Sequence, residues 1–147
     1  MDANIALAHD AAAILRCYPV MRELRTHVVN SEEFVERVTR QQSSGYHLVY
    51  VKARAEVRAV AGYQLCESLY VGRFLYVDDL VTQESDHSAG YGGFLFDWLV
   101  GQAREHNCER LELDSGVQRF EADRFYPEKT DGYLVASLHA KTVKQPK

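Results

Sequence analysis

The spacing of apolar residues in this chain changes at Tyr46, and that change limits the folds open to it. Before Tyr46 the period is helical. Asp10 can cap a helix running to about Arg25, with Ala13, Ile14, Cys17, Met21 and Leu24 on one side and Pro19 expected to bend or break it. Asn30-Ser31-Glu32-Glu33 resembles a second helix start, followed by the stripe Phe34, Val35 and Val38. After Tyr46 the period is that of strands: His47 to Ala53, Arg58 to Cys66 across a short turn, then Phe74 to Thr82. An antiparallel meander is expected there.

The period then alternates. Phe94-Leu95 through Trp98-Leu99 to Ala103 has helical spacing, and Glu109 to Asp114 alternates as a half-buried strand does. Gln118 to Tyr126 reads as a short helix stopped by Pro127, and Tyr133 to about Lys141 as a last strand. The implied fold class is α/β, a mixed and mainly antiparallel sheet with helices. At 147 residues, without linker or repeat, the chain is expected to be one domain over 1–147, with 142–147 a frayed tail.

Charge and cysteine usage narrow the function. Seventeen Lys and Arg against 21 Asp and Glu give a net charge of -4, which disfavours broad phosphate contact and hence nucleic acid as a partner. Cys17, Cys66 and Cys108 are odd in number and widely spaced, which points to a reducing, cytoplasmic compartment. Every apolar stretch is interrupted by charge well before the ~18 residues a membrane helix requires, so no membrane partner is expected. His9, His27, His47, His87, His106 and His139 lack metal-ligand spacing, and no metal is expected.

The residues that carry chemistry gather in two places. His87-Ser88-Ala89-Gly90-Tyr91-Gly92-Gly93 ends in glycines directly before the third helix, where unpaired backbone amides and the positive end of the helix dipole converge. Such a place binds an anion, commonly a phosphate, unless the glycines only form a turn. A Walker loop is excluded because Phe94-Leu95 stand where Lys and Ser or Thr are required. A Rossmann loop would place glycine or alanine at Leu95, so a dinucleotide-binding domain remains a weak alternative. The second place is Asp78-Asp79 near a strand end, which by themselves read as ordinary strand-end acids binding backbone or arginine.

Taken together, Tyr76 to Thr82, His87 to Gly93, Phe94 to Leu99, Leu111 to Gly116, Arg124-Phe125-Tyr126 and Gly132-Tyr133 resemble the GNAT superfamily of acyl-coenzyme A dependent N-acetyltransferases. The similarity covers residues 74 to about 139. His87-x-x-Gly90-x-Gly92 matches the family's Arg/Gln-x-x-Gly-x-Gly/Ala loop. The resemblance implies helices on both sheet faces and a splayed pair of parallel strands, Phe74 to Thr82 and Arg110 to Asp114. It implies acetyl-coenzyme A as co-substrate, its pantetheine arm along the backbone of Leu80, Val81 and Thr82. The pyrophosphate would lie on the amides of Ser88 to Gly93, with His87 at the family's Arg or Gln position, in agreement with the direct reading of that loop.

The same resemblance assigns roles. Asp78 is the expected base for a small-molecule or peptide amine, since an alkylammonium of pKa ~10.4 loses its proton at pH 7 at a cost of about 4.6 kcal/mol. Strand alternation puts Tyr76 and Asp78 on one face and Asp79 on the other. Tyr126 would hydrogen-bond the departing sulfur, unless it is a core tyrosine anchoring its helix. Arg22 and Arg25 fall where the family receives its acceptor and could meet a carboxylate, or be solvated surface charges. A non-catalytic acyl-coenzyme A sensor is the alternative. Three features depart from the family: His87 replaces Arg or Gln, Pro127 lies in a longer segment between Tyr126 and Gly132, and fifteen residues follow Gly132. That tail has room for one strand, leaving a second copy to complete the sheet as a homodimer.

Overall fold

The computed structural model describes residues 2–83, 89–113, 135–137 and 141–143. Among them the strands form one seven-stranded sheet in sequence order. These are β1 (Asn4–Leu7), β2 (Tyr46–Ala53), β3 (Glu56–Ser68), β4 (Gly72–Thr82), β5 (Arg110–Leu113), β6 (Val135–Ser137) and β7 (Lys141–Val143). The helices are α1 (Ala11–Met21), α2 (Ser31–Gln42) and α3 (Tyr91–Glu105). Pairing is antiparallel from β1 to β4, parallel for β4–β5 and β5–β6, and antiparallel for β6–β7.

Side-chain alternation sorts the strand residues onto two cores. Val49, Val51, Ala59, Ala61, Tyr63, Leu75, Val77 and Leu80 face α3, whose Leu95, Phe96, Leu99 and Ala103 are buried against them. Tyr46, Leu48, Tyr50, Val60 and Val81 face the other way, onto Ile14, Cys17 and Met21 of α1 and Phe34 and Val38 of α2. The result is the expected α/β sandwich with a helical layer on each face.

The two expected helix starts are realised. Asp10 Oδ1 accepts the Ala13 amide at 2.8 Å and Asn30 Oδ1 accepts that of Glu33 at 2.7 Å. The first helix, expected to reach Arg25, ends at Met21. It contains Pro19 on its exposed side, where the carbonyl left without a donor can meet water. The chain then continues in turns held by the Arg25 amide on the Met21 carbonyl at 2.9 Å and by the Tyr18 hydroxyl on the Val28 carbonyl at 2.8 Å.

Three further expectations are corrected. The chain begins with a strand, β1, that the helical reading of its first third omitted. The single last strand is instead two short ones, β6 and β7, paired antiparallel. Thr142 and Val143, assigned to a frayed tail, belong to β7. The expected helix from Gln118 to Tyr126 lies outside the described residues.

Candidate functional site: a cleft over a bulge in β4

The β3–β4 ladder slips between Gly62 and Tyr63: Gly62 faces Asp79, and the next residue, Tyr63, faces Val77. Asp78 is therefore the extra residue of a β-bulge. A bulge interrupts the alternation that would send Asp78 and Asp79 to opposite faces. Val77 and Leu80 both remain in the α3 core, and both aspartates line the same cleft on the α1–α2 side. The expectation that Asp79 would leave the face holding Asp78 is thus corrected.

That cleft, about 440 Å³, lies between β4, α2 and the chain leaving α1. Tyr76, Asp78 and Asp79 come from β4, Tyr46 from the start of β2, Arg25, His27 and Val28 from the α1–α2 connection, and Phe34, Arg37 and Gln41 from α2.

The two carboxylates have different partners. Asp79 Oδ1 accepts Arg25 Nε at 2.7 Å, and its Oδ2 accepts the Tyr46 hydroxyl at 2.7 Å. Arg25 Nη2 also donates to the Asp78 carbonyl at 2.7 Å, so one guanidinium ties both residues of the bulge. Tyr46 is buried, and that burial, reinforced by the Asp79 charge, raises its pKa well above 10 and keeps it a donor. Its phenol reaches Asp79 across Gly62, where any Cβ would overlap the ring. Only glycine admits this crossing.

Asp78 accepts a hydrogen bond from the neutral Gln64 amide at 2.8 Å. Burial raises its pKa above the ordinary carboxylate range; the Gln64 bond and Arg25 oppose this, and the Asp79 charge adds to it. A half-buried carboxylate of raised pKa, open to a cleft, suits proton acceptance from an ammonium ion. No thiol competes as a nucleophile: burial pushes Cys17 up to about 12 and raises Cys66 and Cys108.

The other expected site is the start of α3. Gly90 is the N-cap, left-handed at φ 86, a conformation that favours glycine, and no side chain caps the helix. Gly92 and Gly93 are buried in a first turn that contains no acid. The first intrahelical bond there runs from the Phe94 amide to the Gly90 carbonyl at 3.0 Å. The amides of Tyr91, Gly92 and Gly93 precede it, and a phosphate would fit them. Ala89 stands directly before the cap, whereas His87, Ser88 and Tyr126 lie outside the described residues.

The β4–β5 ladder runs from Phe74 opposite Arg110 to Val77 opposite Leu113, while on its other side β4 stays paired to β3 through Thr82. Among the described residues, Leu80 and Val81 thus have a strand on one side only. The family resemblance singles out Asp78 and Arg25 but not Tyr46, Gly62, Gln64 or Arg37. Gly62, a lone glycine inside a strand pattern, is the one signal that could have marked the bulge.

Residues 12–133 match the Acetyltransferase (GNAT) family. The chain belongs to that family. It is an acyltransferase, and the dinucleotide-binding alternative is set aside. An uncharacterized N-acetyltransferase, YhdJ of Bacillus subtilis (strain 168), is 34% identical over 127 residues, which cover 86% of this chain and 89% of the relative. Solved structures share the fold at lower identity. The ribosomal-protein-alanine N-acetyltransferase of Brucella melitensis biovar Abortus 2308 has TM-score 0.70 at 16% identity, over 86% of this chain and 89% of that one. A predicted acetyltransferase from Clostridium acetobutylicum, solved with acetyl-CoA, has TM-score 0.61 at 16% identity, over 86% and 87% of the two chains. Among the described residues no group of three His, Cys, Asp or Glu could hold a metal ion, and no helix is long and apolar enough to cross a membrane.

Proposed function

We propose that this acetyltransferase moves an acetyl group from acetyl-coenzyme A to a primary amine of a small molecule or peptide. The amine attacks directly in a ternary complex, and the whole of residues 1–147 acts as one acetyltransferase domain. The observation that carries the reading is the unequal treatment of the two bulge carboxylates: Arg25 and Tyr46 occupy both oxygens of Asp79, while Asp78 meets a neutral amide and the cleft. Asp78 is thereby the group able to take the ammonium proton, directly or through water.

When bound, acetyl-coenzyme A supplies a thioester carbonyl activated toward the amine. The amides of the first turn of α3, from Ala89 to Gly93 with His87 and Ser88 before them, hold its pyrophosphate. The backbone of Leu80 and Val81, with Thr82 at the strand end, aligns the pantetheine arm. Tyr126 serves the departing sulfur as a hydrogen-bond donor, stabilising the transition state. The raised thiol pKa values support attack without a covalent cysteine intermediate. Three free cysteines support a reducing, cytoplasmic setting.

The test is acetyl-dependent release of free thiol with a panel of primary amines, with the acetylated product identified by mass spectrometry. Turnover with at least one amine is expected. Binding of acetyl-coenzyme A without turnover of any amine would instead favour a sensor.

A further inference from the structure

The charges lining the cleft are not balanced pair by pair. Arg25 and Asp79 neutralise each other at 2.7 Å. Two opposite charges are held more loosely. Asp78 is hydrogen-bonded by an uncharged amide, and Arg37 of α2 reaches Glu33 at 3.5 Å, with side chains 37% and 36% exposed. An exposed i,i+4 pair at that distance holds its arginine weakly, so Arg37 can turn to a ligand at little cost. His27 and Gln41 also line the cleft and add hydrogen-bonding capacity.

We propose that the acceptor is an amine that also carries an anionic group, a carboxylate or a phosphate, held by Arg37 while the amine faces Asp78. The proposal rests on the reading of this cleft as the acceptor site. A planar guanidinium pairs with either oxyanion through two parallel bonds, which fixes the molecule's orientation as well as its affinity. A cleft of about 440 Å³ suits a small dipolar molecule. A diamine would set its second cation against Arg37 and is disfavoured.

The experiment compares acceptors with and without the anion, with rates expressed per free amine because the anion also shifts the amine pKa: L-amino acids with their carboxamides, and O-phosphoethanolamine with ethanolamine, with putrescine as the dication. The anionic member is expected to exceed its neutral counterpart by about tenfold or more in kcat/KM, mostly through KM. Which pair shows the effect identifies carboxylate or phosphate. Arg37→Gln should collapse that ratio, while Arg40→Gln, on α2 but outside the cleft, should preserve it. Neutral or dicationic amines turned over as well as the anionic ones, or a ratio surviving in Arg37→Gln, would overturn the proposal and leave the acceptor reading standing. If acetyl-coenzyme A binds and no panel member is acetylated, the acceptor reading fails and the proposal falls with it.

Discussion

Replacing Asp79 by asparagine tests whether this carboxylate is a structural clasp. Its two oxygens each accept one donor, Arg25 Nε and the Tyr46 hydroxyl, both at 2.7 Å. Asparagine keeps one acceptor and presents an amide N–H in place of the other, so one donor must face a donor. If the tyrosine loses, a buried hydroxyl is left unsatisfied and a charge-assisted bond is gone, at about 2–3 kcal/mol. If the arginine loses, the cost is smaller, because its side chain is 34% exposed and water screens the pair. Relaxation favours sacrificing the arginine bond, but the guanidinium also holds the Asp78 carbonyl at 2.7 Å, which resists its departure. A net loss of about 2 kcal/mol follows, or roughly 4–8 °C in Tm for a chain of this size. Thermal unfolding followed by circular dichroism, with Tyr46→Phe and the double variant completing a cycle, measures it. Melting of Asp79→Asn within about 1 °C of the parent, or strict additivity with Tyr46→Phe, would refute the clasp.

Four other outcomes are expected. Asp78→Asn should lower turnover at neutral pH and recover much of it at high pH, where free amine is supplied by solution, and the parent's kcat/KM should fall in acid with a limb above the ordinary carboxylate range; identical pH-rate profiles exclude Asp78 as base. The same variant should melt at or slightly above the parent at pH 7. A raised pKa means the ionised form costs stability, a cost present above the folded pKa and lost as pH falls through it. Gly62→Ala should destabilise by about 1–3 kcal/mol, read by denaturant titration, because its Cβ would displace the Tyr46 phenol; an unchanged midpoint contradicts that packing. Gly92→Glu should abolish calorimetric binding of acetyl-coenzyme A by bulk and like charge at a buried position, and an unchanged affinity removes the cofactor from the start of α3.

The elements legible in the sequence are those whose signals are local. Asp10 and Asn30 mark helix starts because a cap is a bond between a residue and its third neighbour. The meander from β2 to β4 is legible because long strands packed on both faces repeat their pattern many times. β1 is not: four residues of alternating exposed and half-buried character pair only with β2 and are too few to show a period. The end of α1 was misread because the stripe continues to Leu24 and Arg25, while the chain actually turns after Met21. Pro19 broke nothing, since its exposed position leaves the freed carbonyl to solvent.

Of the cleft, the sequence shows the adjacent aspartates but not their geometry, and the bulge is the reason. Alternation is a local rule, and from it two adjacent aspartates must face apart. The register slip that overrides it depends on Gly62, Tyr46 and Arg25, residues 16 to 54 positions away from the pair, whose convergence no window of the sequence contains. Once both carboxylates share a face, like charge raises the cost of ionising both, and the fold resolves this by giving them unequal partners. A cation and a phenol on Asp79 compensate its charge within the protein. A neutral amide on Asp78 leaves that charge for the cleft to use. Adjacent aspartates are thus separated in environment by what folds over them rather than by which way the strand points, and exchanging the partners perturbs Asp78 as directly as replacing its carboxylate.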